Sequence, residues 1–208
     1  MRAITLVTFI FMFLHSCGLN AQTAIKATPK EWTAFNGKAT FDEGVIHLMN
    51  TANKTVLLWL NNTNFKNGII ELDIKGKDDS EGSFVGLAFH GSDNEKYDAV
   101  YFRPHNFRNP EKKDHAVQYI DMPGSDWDVL REKNPGKYEQ PVHPVPDPND
   151  WFHAKIVINY PAIKVYVNGS EEPTLEVEQI SKREEGKLGL WLDSKDGWFK
   201  NVVVTRFK

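Results

Sequence analysis

The stretch that decides the fold is SFVGLAFHGS at residues 83–92, followed by KYDAVYFRPHNFRNPEKKDHAVQYID at 96–121. Read at the two-residue period of a β-strand, it separates into two faces of different chemistry. One face carries Val85, Leu87, Phe89, Val100, Phe102, Val117 and Tyr119, large residues suited to a core. The other carries Gly86, Ala88, His90, Ala99, Tyr101, Arg103, Ala116 and Gln118. On that second face small residues stand mid-strand, with polar and aromatic groups toward the ends. Such a pattern predicts a concave face with a lowered floor and functional walls. The competing reading is an ordinary half-wet antiparallel sheet, a common arrangement. The loop holding Arg103, His105, Asn106, Arg108, Lys112, Lys113 and His115 is dense in hydrogen-bonding groups. At the rim of a trough it would suit a hydroxyl-rich or anionic ligand.

The flanking chain repeats the pattern. EWTAFN, KATFDE, VIHLMN and TVLLWLNN read as short strands, with Asn36-Gly37 and Glu43-Gly44 as tight turns. NGIIELDIKGK alternates, with Ile70, Leu72 and Ile74 inward and Glu71, Asp73 and Lys75 outward. Later strands read as WFHAKIVIN, AIKVYVNG, TLEVEQI, GKLGLWLDS and WFKNVVVTRF. In the fourth of these, Leu188, Leu190 and Leu192 form a core face, and Gly189, Trp191 and Asp193 continue the functional one. Residues 122–149 differ: Pro123, Pro135, Pro141, Pro144, Pro146 and Pro148 preclude a long regular element. One short helical turn is expected at 125–133, capped by Ser125. Many short strands and almost no helix predict an all-β, two-sheet antiparallel jelly-roll sandwich with a long proline-rich loop.

The chain of 208 residues reads as one domain at 31–208, preceded by a polar lead at 22–30. A net charge of -3 argues against general nucleic-acid binding, which calls for a basic face. The segment 1–21 reads as a secretory signal: Met1-Arg2 is positive, and Ala3–Leu14 is apolar but too short for a membrane span. Two processing sites compete. Leu19-Asn20-Ala21 suits signal peptidase, while Leu14-His15-Ser16-Cys17 resembles a lipoprotein box that would anchor the chain through Cys17. Plain cleavage is preferred, because His15 fits the lipoprotein box poorly. Either way the mature protein is expected outside the cytoplasm, periplasmic or extracellular. Cys17 is the only cysteine, so no disulfide or thiol chemistry is expected in the domain. A signal ending in NAQ resembles those of Bacteroidetes bacteria, which makes the N-x-S/T matches at Asn53, Asn61 and Asn168 chance hits.

The order WFHAKIVIN, IKVYVNG, GKLGLWLDS and FKNVVVTRF resembles the end of a concanavalin A-like lectin/glucanase domain. More narrowly, it is similar to the secreted 3-keto-disaccharide hydrolase family. That resemblance runs from Phe41 to Phe207 in element order, with its motifs densest in the last third. It implies two packed antiparallel sheets with a glycoside on the concave one, in some members a sugar oxidised at carbon 3. In one place the chain departs from the resemblance. Family members often carry an acid just before the V-Q run of the third concave strand, and here Ala116 precedes Val117-Gln118-Tyr119.

Candidate proton movers are His90 and His115, which titrate near neutral pH, and Asp193, a strand-end carboxylate beside Trp191. Asp121, Glu132 and Glu139 are further carboxylates. Candidate sugar contacts are Tyr101, Arg103, His105, Asn106, Arg108, Gln118, Trp127, Arg131 and Trp191. Alanine at Trp191 or Arg103 is expected to weaken a glycan by about 1–3 kcal/mol with the fold intact. ELDI at 71–74 matches only part of a β-glucanase signature and lacks its last glutamate, so that enzyme type is rejected. No cofactor or catalytic metal site is evident. Lectin-like domains of this fold often hold a structural calcium, and DDSE at 78–81 and DPND at 147–150 are the oxygen-rich loops that could take one. Two functions remain: a secreted glycoside-processing hydrolase or lyase, which is favoured, and a non-catalytic carbohydrate-binding domain.

Overall fold

The alternating stretch Gly68–Lys75 buries every second residue, and its neighbours in space do the same. The computed structural model describes residues 21–79, 81, 83–193 and 195–208. The signal segment, apart from its last residue, and Cys17 lie outside the described residues. The strands in chain order are β1 (Gln22–Ala24), β2 (Trp32–Phe35), β3 (Gly37–Asp42), β4 (Val45–Asn50), β5 (Val56–Leu60), β6 (Gly68–Lys75), β7 (Val85–Gly91) and β8 (Tyr97–Phe102). There follow β9 (Val117–Met122), helix α1 (Trp127–Lys133), β10 (Glu139–Gln140), β11 (Phe152–Asn159), β12 (Ala162–Val167), β13 (Leu175–Glu178), β14 (Lys187–Leu192) and β15 (Asp196–Arg206). They form two antiparallel sheets. The first runs β13-β12-β11-β6-β15-β4-β3, with β1 also paired to β15; the second runs β10-β9-β8-β7-β14-β5-β2. This is the expected all-β jelly-roll sandwich.

The core lies between the sheets. Ile70, Leu72, Ile74, Ile156 and Phe199 of the first meet Val85, Leu87, Phe89, Val100, Phe102 and Leu190 of the second, all of them buried. Phe102 meets Phe152 edge-on, with ring centres 5.0 Å apart. Each such side chain stabilises the fold by about 1.5–3 kcal/mol relative to exposure. The parity reading of the inner face is therefore correct.

Several local features differ from expectation. Glu43-Gly44 does close a two-residue hairpin, with φ of 45° and 81° and Asp42 opposite Val45, the left-handed pair that such turns require. Asn36-Gly37 instead carries the chain from β2 in the second sheet to β3 in the first. The polar lead begins as a strand, because Gln22–Ala24 find open hydrogen-bonding groups along Thr205–Val203. The helix cap is Asp126 rather than Ser125: its Oδ1 accepts from Trp127 N at 2.7 Å, while Ser125 bridges back to Asp121.

Candidate functional site

Register on the outer face of the second sheet builds the site. Phe35 stands opposite Leu57, Leu57 opposite Trp191, Trp191 opposite Gly86, Gly86 opposite Tyr101, Tyr101 opposite Gln118 and Gln118 opposite Glu139. Gly86 has to be glycine. A Cβ there would stand 2.2 Å from Val100 O and 2.5 Å from Tyr101 Cα, both backbone atoms. With that gap, the rings of Trp191 and Tyr101 meet over the sheet, stacked at 4.5 Å between centres. Trp191 Nε1 donates to the Tyr97 hydroxyl at 3.4 Å. The small residues one row on do not form an open floor. Ala88 and Ala99 are buried, and a Cβ on Gly189 would stand 2.7 Å from the Trp59 ring. Aromatic rings fill the low row and become the floor themselves.

Above this floor is a cavity of about 420 Å³, walled by the 103–115 loop, α1 and the end of β14. Its polar wall is organised around Glu139, which is buried. Arg131 donates to it in bidentate fashion, Nε to Oε1 at 2.8 Å and Nη2 to Oε2 at 2.6 Å. His115 Nδ1 stands 2.9 Å from Oε1, and Arg103 Nη1 stands 3.8 Å from Oε2. Burial pushes the Glu139 carboxyl up, but Arg131 and His115 outweigh burial and hold it below the usual carboxylate range. Glu139 is thus an anion around which two arginines and a histidine are ordered.

Arg103 makes its direct hydrogen bonds to neutral acceptors. Nη1 donates to His115 O at 2.9 Å, Nη2 to the Tyr101 hydroxyl at 2.6 Å, and both reach Gln118 Oε1 at 3.4 Å. Burial, with the nearby Arg131 charge, pulls its guanidinium below the ordinary value. Burial likewise pushes the Tyr101 phenol above its usual range, so it stays a protonated donor at working pH. Because Arg103 occupies the oxygen as a donor, the Tyr101 proton is turned elsewhere. Trp127, 42% exposed on α1, has Arg131 at 4.9 Å and Arg103 at 5.8 Å from its ring centre. At the cavity mouth, the surrounding protein and the Asp126 charge push the Asp193 carboxyl above its ordinary value.

Of the residues anticipated from sequence, Tyr101, Arg103, His105, Asn106, His115, Trp127, Arg131, Trp191 and Asp193 all line this one cavity. Three do not. His90 is buried at the end of the sandwich, its Nδ1 3.1 Å from Gln179 Oε1 and its Nε2 2.7 Å from Lys66 O. Parity fails there because the β7–β14 register shifts between Lys187 and Gly189, and His90 takes φ of 48°, which turns its ring toward Phe65 and Phe89. Arg108 faces outward to Asp147, 3.1 Å away, beside a separate small cavity. Gln118 lies beneath the site, its amide nitrogen donating to Tyr119 O and Tyr138 O. Trp191 and Arg103 are only 3% and 7% exposed, so alanine at either costs stability as well as ligand contacts, contrary to expectation. Glu71 and Asp73 lie on the first sheet facing His153, away from the cavity.

Sequence reading missed the centrality of Glu139 and the presence of Asp126 and Tyr97. Tyr97 was legible, since it shares parity with Ala99 and Tyr101. Glu139 was not, because a two-residue strand after a helix gives no periodic signal. Its placement accounts for Ala116: with Ala116 N donating to Gln140 O at 3.1 Å, β10 brings a carboxylate to the sheet edge from the neighbouring strand. The two loops considered for calcium do meet, Asp78 N donating to Asn149 Oδ1. Asp78 stands 2.6 Å from His105 Nδ1, and Asp147 pairs with Arg108 at 3.1 Å. Among the described residues there is no cluster of three or more acidic, histidine or cysteine side chains that could hold a metal.

Fold and cavity define a class, the lectin-like two-sheet sandwich with a polar-walled, aromatic-floored site on one sheet. The chain belongs to the 3-keto-alpha-glucoside-1,2-lyase-like domain family, whose model matches residues 25–205. Among solved structures it is similar to a carbohydrate-binding module of family 66 from Bacillus subtilis, with a TM-score of 0.61, 17% identity, and coverage of 84% of this chain and 96% of that one. It is also similar to a galectin-like protein of unknown function from Bacillus subtilis, at 0.58 and 15%, covering 85% and 90% of the two chains. A candidate glycosyl hydrolase from Parabacteroides distasonis matches at 0.55 and 15%, covering 86% and 89%. At such identities these likenesses show the fold. Comparison with curated protein sequences finds no match. No helix among the described residues is long and apolar enough to cross a membrane.

Proposed function

We propose that this exported protein cleaves 3-keto-glycosides by elimination, with the sugar ring over Tyr101 and Trp191 and His115 as the base. The observation that carries the proposal is the 2.9 Å contact of His115 Nδ1 with buried, ionised Glu139 inside the aromatic-floored cavity. A proton on Nδ1, beside that carboxylate, leaves the lone pair on Nε2, the arrangement a general base needs. A ketone at carbon 3 acidifies the hydrogen on carbon 2. His115 Nε2 takes that proton, and the electron pair passes to the carbon 3 oxygen as an enolate. The Tyr101 hydroxyl, held by Arg103, donates to that oxygen and disperses its charge. The enolate then collapses to restore the ketone, forms the C1–C2 double bond and breaks the C1–oxygen bond. Asp193, whose carboxyl its surroundings and the Asp126 charge raise above the ordinary value, gives a proton to the departing oxygen. The products are an enone sugar and a free alcohol. No pair of carboxylates flanking the bond is required, unlike conventional glycoside hydrolysis.

The alternative is a lectin that binds glycosides on the same face without turnover. The test is to incubate wild type and His115→Gln with methyl α-glucoside and its 3-keto form, following release of methanol and the enone. The expected result is release from the 3-keto form alone, reduced about 10²–10⁴-fold in His115→Gln with binding retained. Binding without turnover of either glycoside by wild type would overturn the enzyme reading in favour of the lectin.

A further inference from the structure

The outer face of the second sheet does not end at the cavity. A second groove, of about 620 Å³, runs along its edge strand β2 and includes Phe35, Trp59, Asn61, Asn94 and Lys187. We propose that this groove is a second carbohydrate subsite, taking a further sugar on the leaving-group side of an oligosaccharide whose reacting ring sits over Tyr101 and Trp191. The proposal rests on the reading of the main cavity given above.

Three observations support it. The first is register. Phe35, Leu57 and Trp191 form one cross-strand row, so Phe35 stands two strands, roughly 9.5 Å, from the stacking ring of the main cavity. That separation is about two pyranose repeats, so it suits the third ring of a chain laid across the strands. The second is continuity. Tyr97 lines the main cavity and Trp59 the groove, and their rings, both largely buried, meet edge-on at 6.2 Å, so the two sites share a wall. The third is composition. Phe35 is 36% exposed at an otherwise polar rim, an apolar face open to stacking. Around it lie amide and hydroxyl groups already oriented by their own partners. Asn94 Oδ1 accepts from Trp59 Nε1 at 2.8 Å, and Asn61 Oδ1 accepts from Thr33 Oγ1 at 2.7 Å. Lys187 Nζ sits 5.7 Å from the Trp59 ring centre and adds a cation at the rim. An apolar face ringed by oriented amides is the chemistry that recognises a pyranose, whose faces are apolar and whose edges carry hydroxyls.

The experiment measures affinities of wild type, Phe35→Ala and Asn94→Ala for methyl α-glucoside, maltose and maltotriose by calorimetry, with light scattering on each protein. Wild type is expected to bind maltotriose about tenfold tighter than methyl α-glucoside. Phe35→Ala should remove most of that gain and leave methyl α-glucoside unchanged; Asn94→Ala should act in the same direction. Equal affinity of wild type for all three sugars would overturn the subsite, as would a parallel loss for all three in Phe35→Ala. A dimer that Phe35→Ala dissolves would also overturn it, assigning the β2 edge to self-association. Failure of methyl α-glucoside to bind, in plain and 3-keto form alike, would strike the main-cavity reading and the subsite with it. That pattern is distinct from a lost chain-length gain.

Discussion

Replacing Glu139 by glutamine tests whether the cavity wall is held by one buried charge. The side chain is 2% exposed and carries the bidentate pair with Arg131, the 2.9 Å contact with His115 and the 3.8 Å approach of Arg103. Removing one partner from a fully buried pair costs about 3–5 kcal/mol, because the remaining charge stays desolvated. Here Arg131 and His115 are each about one third exposed and regain some hydration, whereas Arg103 does not. The working figure is therefore about 3 kcal/mol, toward the lower end of that range. For a chain of this length such a loss lowers Tm by roughly 6–12 °C. The sign of the pH dependence follows from the depressed carboxyl of Glu139. Its stabilisation is complete above the ordinary value of 4.5 and is lost as pH falls through the lower folded-state value. Wild type should lose stability in that acid window, and Glu139→Gln should lose less there, because its contribution is already gone. Urea unfolding at neutral pH and at stepwise lower pH reads both effects. A neutral-pH loss below about 1 kcal/mol, or an unchanged acid slope, would refute the view that Glu139 organises the wall.

His90→Ala should cost about 2–4 kcal/mol in denaturant unfolding, by orphaning Lys66 O and Gln179 and opening a cavity, while turnover of the folded protein stays at the wild-type level. Gly86→Ala should cost about 3 kcal/mol or more and weaken every ligand of the main cavity, since the new Cβ meets backbone that cannot give way; thermal melts and calorimetry read both effects. Asp126→Asn removes a charge that raises the Asp193 carboxyl, so the alkaline limb of the kcat/KM profile should move to lower pH; an unmoved limb would take Asp193 out of the acid's role.

The sheets were legible because parity is a strong signal where one face is buried. Val85, Leu87, Phe89, Val100 and Phe102 could only face a core, and Tyr101 and Trp191 were then bound to share the opposite face. Parity misled at His90, where one extra residue in β7 reverses the side chain, and a bulge leaves no mark in composition. The 103–115 loop announced itself by residue type, yet that could not separate Arg108, which turns outward to Asp147, from Arg103, which turns inward. Glu139 and Asp126 were hidden for a different reason. Their positions depend on how a proline-stiffened connection docks, and long-range docking has no local period to read.

That connection has a consequence for how such sites diversify. Trp127 and Arg131 on α1, the cap Asp126, and Glu139 on β10 all belong to one segment between β9 and β11. Its own strand pairing to the sheet is the two-residue ladder of β10 against β9. Trp127, Arg131 and Glu139 therefore travel together as a cassette, which the scaffold receives on Gly86, Tyr101 and Trp191 and through Arg103 and His115 of the 103–115 loop. Exchanging this one segment between related sandwiches would change one wall of the site in a single step, provided that the buried side chains it docks with, Leu130, Tyr138 and Val142, are kept.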